Sequence, residues 1–249
     1  MESKPLYIVG IGLNSAIGLN AEETCLSLRN SRSGIGRMTL LASEHNDLPV
    51  GEVPLTNEAL RQRLHIPADE AITRSALLGI MAVREALRSA GVSPEEVPMA
   101  FVNGTTVGGM DCSEQYYLDF LNNDSRNEFI ALHDVGACTR QIAEHTGPFV
   151  YQASTSTACS SAANAIIHAA RILECGEAEM AVAGGTECLT KFHLNGFNSL
   201  LILDNAPCRP FCKTRAGLNL GEGAAYVVLE TPEAAQRRGH RPLAILTGY

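Results

Sequence analysis

Short apolar segments of strand length alternate with helix-like segments along this chain. The strand-like segments are bounded by glycine, proline or polar residues and span residues 6–12, 99–102, 149–153, 180–185, 224–230 and 243–249. The helix-like segments span residues 21–29, 73–90, 112–121, 135–145, 160–174 and 232–238. Strands separated by helices of a dozen residues or more favour parallel pairing, with helices on both faces of the sheet. The chain is therefore predicted to have an α/β fold.

Residues 31–67 interrupt this alternation. Gly34, Gly36, Pro49, Pro54 and Pro67 break any long helix or strand in this stretch. We expect a loop excursion here.

The composition is that of an ordinary soluble globular chain. Hydrophobic residues make up 45% of the 249 residues and the mean hydropathy is +0.02, so a large core can be buried. A net charge of −8 and scattered Lys and Arg side chains argue against a nucleic-acid surface. The sequence has no apolar run of membrane-spanning length, and residues 1–5 lack the features of a signal peptide. We expect a cytoplasmic protein with no membrane contact.

The sequence indicates no cofactor and no metal. Its 8 cysteines lie far apart and predict no disulfide framework. Cys208 and Cys212 are closely spaced, but zinc is a weak interpretation without a second pair of ligands. Gly10 and Gly12 follow a strand, as in a dinucleotide-binding fingerprint, yet Ser15 stands where the third glycine belongs.

The stretch from Tyr151 to Ala165 contains the strongest candidate for chemistry. It runs from a β-prone segment through small residues into an Ala-rich helix, with Cys159 at the junction. The unpaired N–H groups and partial positive charge of a helix start favour a thiolate and can hold an oxyanion. The alternative is a small, buried and inert cysteine, which is what most of the other cysteines should be. We therefore predict that Cys159 is a catalytic nucleophile.

Five segments, taken in order and at their spacing, resemble the β-ketoacyl synthases, which condense acyl and malonyl groups on carrier proteins. They are Ser-Thr-Ala-Cys-Ser-Ser-Ala at 156–162, Ala-Val-Ala-Gly-Gly-Thr-Glu at 181–187, Gly-Phe at 196–197, Arg-Pro-Phe at 209–211 and Gly-Glu-Gly-Ala-Ala at 221–225. The resemblance extends from the first strand to the end of the chain.

The resemblance implies a thiolase-like fold, in which two similar halves each carry a five-stranded, mixed and mostly parallel sheet flanked by helices. Residues 1–240 would form the N-terminal half, and residues 241–249 would begin the first strand of a second half. It also implies a homodimer that pairs through the strand at 149–153. Val107 matches a position that lines the acyl pocket near the dimer interface, although plain core packing explains this valine equally well.

The resemblance further implies an acyltransferase of fatty acid or polyketide-type synthesis. Cys159 would accept an acyl group from acyl carrier protein, and decarboxylative condensation with malonyl-carrier protein would follow. The family takes two histidines and a lysine for this second step from the second half. His168 lies nine residues beyond Cys159, on the opposite face of the predicted helix, and is not expected to replace them. We therefore expect acyl transfer without condensation from residues 1–249.

Two departures and two alternatives stand beside this interpretation. Cys212 follows Arg-Pro-Phe where many members have an acidic residue, and Ala216 replaces the aspartate of an Arg-Asp-Gly triplet. A non-catalytic partner subunit of the chain-length-factor type would share the fold, but such a subunit typically lacks the cysteine. A thiolase acting on coenzyme A thioesters would share the fold and the cysteine, but the segments at 209–211 and 221–223 fit the synthases better.

Overall fold

A mixed sheet runs through the molecule, and the computed structural model describes it over residues 5–123 and 125–249. The strands in these residues are β1 (Leu6–Ser15), β2 (Met99–Gly104), β3 (Tyr151–Thr155), β4 (Met180–Glu187), β5 (Gly223–Glu230) and β6 (Ala244–Leu246). The helices are α1 (Ala21–Arg29), α2 (Asn57–Leu64), α3 (Arg74–Ala90), α4 (Met110–Asn123), α5 (Asn127–Ile130), α6 (Val135–Thr146), α7 (Ser161–Glu174), α8 (Lys191–Ser199) and α9 (Pro232–Arg238), with a 3-10 turn at Ala131–His133. The predicted α/β class is confirmed.

The six described strands lie in the order β3-β2-β4-β5-β1-β6. Strand β2 pairs in parallel with β3 and β4, whereas β5 pairs antiparallel with β4 and β1, and β6 pairs antiparallel with β1. The mixed sheet of the implied fold is confirmed, and five of the six described strands lie within residues 1–240 as expected. The expectation of a mostly parallel sheet is wrong, because three of the five strand pairings are antiparallel. The chain leaves β4 at Glu187 and re-enters the sheet at Gly223, directly opposite, so α8 and the loop after it do not cross the sheet.

The extra strand comes from the end of the chain. Ala244, Ile245 and Leu246 pair with Ile8, Tyr7 and Leu6 at the free edge of β1. The segment predicted at 243–249 thus forms a short strand that extends the same sheet. That a second half begins at residue 241 stays a prediction.

A helix inside residues 31–67 was not expected from the sequence. Helix α2 begins after Thr56, whose side chain accepts the N–H of Ala59, and ends at His65 in a left-handed conformation. Its Leu60 and Leu64 are buried in the core. The helix was missed because eight residues between two prolines show only one turn of apolar spacing.

The two faces of the sheet are covered by different helices. Helices α3 and α6 pack on one face, in a core cluster that includes Phe101, Ile142 and Tyr226. Helix α7 packs on the other face, in a cluster that includes Ala169 and Val102. None of the helices described here combines the length and the apolar character needed to cross a bilayer.

Gly10 and Gly12 of β1 allow helix α3 to pack closely against the strand. A Cβ atom at Gly12 would lie 2.1 Å from the carbonyl oxygen of Ala82, and one at Gly10 would lie 2.4 Å from that of Ala86. Helix α3 can therefore rest directly on the backbone of β1, which accounts for the glycines without a nucleotide.

Candidate active site

Strands β1 to β4 all end at the same edge of the sheet, where β5 begins. A cavity of about 480 Å³ opens at this edge. Its walls are residues 13–15, 104–106, 158–159, 161–162, 185–187 and 223–225. The ends of parallel strands are the usual place for a site in an open α/β sheet, and Cys159 belongs to the wall of this one.

Cys159 lies on a tight turn between β3 and α7, two residues before the first residue of the helix. Ala158 has a φ of 52°, in the left-handed region that L-residues other than Asn and Asp rarely adopt. The thiol is exposed rather than buried. The prediction of a strand-to-helix junction around Cys159 is confirmed, and the alternative of a buried cysteine is wrong.

Glycines at the strand ends allow α7 to start directly above the sheet. A Cβ atom at Gly104 would lie 2.6 Å from the backbone nitrogen of Ala162. A Cβ atom at Gly185 would lie 2.8 Å from the Cβ atom of Ala162. The hydroxyl of Thr155 also donates to the carbonyl oxygen of Ser161 at 2.8 Å. These contacts fix the helix start, and with it Cys159, in the wall of the cavity.

The start of α7 presents free donors at this position. Within the described residues, the backbone N–H groups of Cys159, Ala162 and Ala163 donate to no protein acceptor. Ser160, which precedes the helix, makes no capping bond with its side chain. Unpaired N–H groups at a helix start attract negative charge, so they suit a thiolate or the oxyanion of an acyl group under attack.

Glu187 is the ionisable side chain that shares the cavity wall with Cys159. Its carboxylate accepts the N–H of Thr106 at 2.6 Å and the hydroxyl of Thr105 at 3.3 Å. Burial raises the pKa of Glu187 above its ordinary value, although these hydrogen bonds and the nearby His193 act to lower it. Glu187 ends the segment 181–187 that carried the resemblance, but a Thr-Glu pair after a strand does not reveal burial, so the sequence assigns this side chain no role.

No histidine or lysine lines this cavity in the part of the chain that the structure describes. His168 instead lies beside β3, with its Nε2 atom 3.1 Å from the hydroxyl of Tyr151. Val107 is half-buried and follows the wall residue Thr106, but it is not itself in the wall. The role predicted for Val107 is to line an acyl pocket near a dimer interface, and this role stays a prediction.

Glu222 has a different role from Cys159, although both lie in segments that carried the resemblance. Its carboxylate forms a two-point ion pair with Arg74, at 2.6 and 2.9 Å, and also accepts the N–H groups of Val53 and Leu189. The glutamate side chain is 2% exposed and the arginine side chain 11%. The Gly-Glu-Gly segment is thus a structural junction between β5, α3 and the stretch before α2.

An exposed thiol beside free helix amides, at the edge of a mixed α/β sheet, is an arrangement suited to covalent chemistry by cysteine. The sequence profile of the β-ketoacyl synthase N-terminal domain matches residues 3–235. The chain therefore belongs to the β-ketoacyl synthase family.

Individual relatives agree with this assignment. The chain is 28% identical over 261 residues to 3-oxoacyl-[acyl-carrier-protein] synthase 2 of Staphylococcus aureus, covering 100% of this chain and 63% of the relative. It is 32% identical over 255 residues to nodulation protein E of a Rhizobium species, covering 98% and 62%. The solved structure of the ishigamide ketosynthase/chain length factor is 26% identical with a TM-score of 0.86, covering 99% of this chain and 63% of that one. The chain thus spans less than two thirds of the length of these relatives.

Proposed function

We propose that this chain carries the acyl-accepting site of a β-ketoacyl synthase, with Cys159 as the nucleophile. The observation that carries the proposal is the exposed thiol in the cavity wall, beside the free N–H groups that start α7. The substrate is an acyl thioester on an acyl carrier protein, the carrier that the name of the Staphylococcus aureus synthase specifies.

The reaction at this site is an exchange of thioesters. The sulfur of Cys159 attacks the carbonyl carbon of the acyl group, and a new carbon–sulfur bond forms. The bond from that carbon to the carrier's sulfur then breaks, and the carrier leaves as a free thiol with the proton that Cys159 gives up. The N–H of Cys159 is a donor suited to the oxyanion that develops between these two steps.

Condensation with a malonyl thioester requires further groups. It needs donors for the malonyl carbonyl while carbon dioxide leaves, and the described cavity wall holds neither histidine nor lysine for this task. We therefore propose that residues 1–249 accept an acyl group but form no β-ketoacyl product by themselves.

A non-catalytic chain-length-factor role is the second candidate, because two similar solved structures pair a ketosynthase with a chain length factor. The exposed Cys159 favours the ketosynthase role over it, since a subunit without covalent chemistry has no use for an exposed thiol in the cavity wall.

Acyl transfer tests the proposal directly. The chain is incubated with acyl-loaded carrier protein and digested, and the acylated peptides are mapped by mass spectrometry. We expect one acyl group on Cys159, no acylation of a Cys159→Ser variant, and unchanged acylation of Cys175→Ser, which removes another exposed thiol. Acyl groups spread evenly over the exposed cysteines would refute the proposal.

We also propose that the chain forms a homodimer through β3, predicted at 149–153. In support, β3 is an edge strand of the described sheet. Val150, just before the strand, is 62% exposed, and Tyr151, its first residue, is 40% exposed. Pairing of two such edges across a two-fold axis would continue the sheet. Light scattering at micromolar concentration should give twice the mass of the chain, and a Val150→Lys variant should shift it towards monomer. A monomer in the unchanged chain contradicts this proposal.

A further inference from the structure

We propose that Ser161 is a positioning residue for Cys159, and that Asn164 assists it. The inference rests on the proposed function, because it explains how the thiol is held for attack. It starts from the backbone of Ala158, whose φ of 52° places the residue before the nucleophile in an unfavourable conformation. Such a conformation costs an L-residue free energy and persists only where the surroundings enforce it.

The hydroxyl of Ser161 makes two hydrogen bonds that bracket Ala158. Its oxygen accepts the N–H of Thr157 at 2.9 Å, and it donates to the carbonyl oxygen of Ala158 at 2.7 Å. The N–H of Thr157 belongs to the peptide group before the Thr157–Ala158 pair, and the carbonyl of Ala158 belongs to the peptide group after it. One side chain, 4% exposed, therefore fixes the entry to the turn and its exit towards Cys159.

Asn164 holds the same turn from one helical turn further along α7. Its side-chain amide donates to the hydroxyl oxygens of Thr157 at 2.8 Å and Ser160 at 3.3 Å. Ser160 in turn donates to the carbonyl oxygen of Thr157 at 2.7 Å. Residues three apart share a helix face, so Ser161 and Asn164 both point back towards the turn.

This use of side chains also explains the free donors of the site. Five other helices begin with a cap residue whose side chain accepts a backbone N–H, namely Asn20, Thr56, Thr73, Thr190 and Thr231. Ser160 instead donates its hydroxyl to Thr157, and its φ of −95° and ψ of 2° are not the extended values of those caps. The turn is thus stabilised without using the free N–H groups of Cys159, Ala162 and Ala163.

The test compares variants by the rate at which iodoacetamide alkylates Cys159, followed by peptide mapping. Ser161→Ala removes both bracketing bonds and should slow alkylation about tenfold, as expected for the loss of two hydrogen bonds. Ser161→Thr retains the hydroxyl and should stay within about threefold of the unchanged chain. In the Ala158→Gly background, the same Ser161→Ala change should slow alkylation of Cys159 by less than about threefold, because glycine adopts positive φ without strain.

Matched controls separate positioning from general damage to the fold. Ser199 makes the same kind of bond as Ser161, from its hydroxyl to the carbonyl oxygen of Gly196 at 2.7 Å, away from the cavity. Ser199→Ala should leave the alkylation rate of Cys159 unchanged. An unchanged alkylation rate in Ser161→Ala would overturn the inference. So would an equal slowing of alkylation by Ser161→Ala with Ala158 in place and in the Ala158→Gly background.

Acyl transfer from carrier protein, measured on the same variants, separates this inference from the proposed function. If Cys159 accepts no acyl group in the unchanged chain but its alkylation still depends on Ser161, the proposed function is wrong and the positioning role stands. If acyl transfer occurs and neither rate responds to Ser161→Ala, the positioning role is wrong and the proposed function stands.

Discussion

Cys159 and Cys175 stand at opposite ends of the same helix, α7, and both thiols are exposed. Cys159 comes just before the helix start, beside free N–H groups, whereas Cys175 caps the last turn and donates its own N–H to the carbonyl oxygen of Arg171. The 14-residue helix between them is about 21 Å long. The chain thus contains two exposed thiols at opposite ends of one helix dipole.

The first prediction is that Cys159 reacts faster than Cys175 with iodoacetamide at neutral pH and low salt. The helix start favours a negative charge and the helix end disfavours it, by about 0.3–1 kcal/mol at each end. We expect a rate ratio of about threefold or more, measured by timed alkylation and peptide mapping. Equal rates, or a faster Cys175, would remove the helix start as the source of reactivity.

Three cysteines serve as internal controls in the same experiment. Cys112, Cys138 and Cys188 are buried, and burial raises the pKa of each thiol far above its ordinary value. They should remain unlabelled in the folded chain and react only after urea is added. Early labelling at these sites would show that the chain had unfolded.

The second prediction concerns the contact between β2 and α7. In a Gly104→Ala variant, the new Cβ would lie 2.5 Å from the carbonyl carbon of Ser161, so the helix start must move away from the sheet. We expect a loss of about 1–3 kcal/mol in the free energy of unfolding and slower alkylation of Cys159. Gly196 is the control: it lies in α8 with open space around it, and Gly196→Ala should be neutral or stabilise the chain by up to about 1 kcal/mol. Urea unfolding measures both variants.

Local features of this fold and site were predictable from the sequence. The junction around Cys159 was found because small residues between a β-prone segment and an Ala-rich helix leave few other structures available. Helix α3 was found because its apolar residues recur at helical spacing and Gly91 ends it in a left-handed conformation.

Features that depend on distant parts of the chain were not predictable. The antiparallel entry of β5 depends on where a long loop returns, and the antiparallel pairing of β6 with β1 depends on which edge of the sheet the end of the chain reaches. The left-handed backbone of Ala158 is imposed by side chains that follow it, since alanine itself has no preference for that conformation. The position of Glu187 in the cavity wall likewise requires the loop at 105–106 to fold over it.

The third prediction is that Glu222 stabilises the fold far more than a surface glutamate with an equally short ion pair. Glu222→Ala leaves the charge of Arg74 buried without its partner, and should cost about 3–5 kcal/mol in the free energy of unfolding. Glu179 pairs with Arg237 at the same distance of 2.6 Å, but both side chains are more than half exposed. Glu179→Ala should therefore cost less than about 1 kcal/mol. Urea unfolding that gives similar losses for the two variants would contradict this account of the Gly-Glu-Gly segment.

The last prediction is that Glu187 and Glu52 affect stability with opposite dependence on pH. Burial raises the folded-state pKa of Glu187 above the ordinary value of 4.5. As the pH rises above about 4.5, the unfolded chain releases this proton before the folded chain does, so the folded state loses stability until its own pKa is passed. A Glu187→Gln variant lacks this proton, and its free energy of unfolding relative to the unchanged chain should therefore increase with pH across that window.

Glu52 provides the opposite case in the same measurement. Partial burial acts to raise its pKa, but hydrogen bonds from the N–H groups of Leu41, Thr39 and Leu40 outweigh burial, and the folded-state pKa lies below 4.5. Its ionised form therefore contributes stability that is present above about pH 4.5 and is lost as the pH falls through the lowered pKa. The deficit of Glu52→Gln relative to the unchanged chain should shrink on acidification. Urea unfolding from about pH 3 to pH 7 measures both differences, and slopes of the same sign would mean that one of the two carboxylates has been assigned the wrong environment.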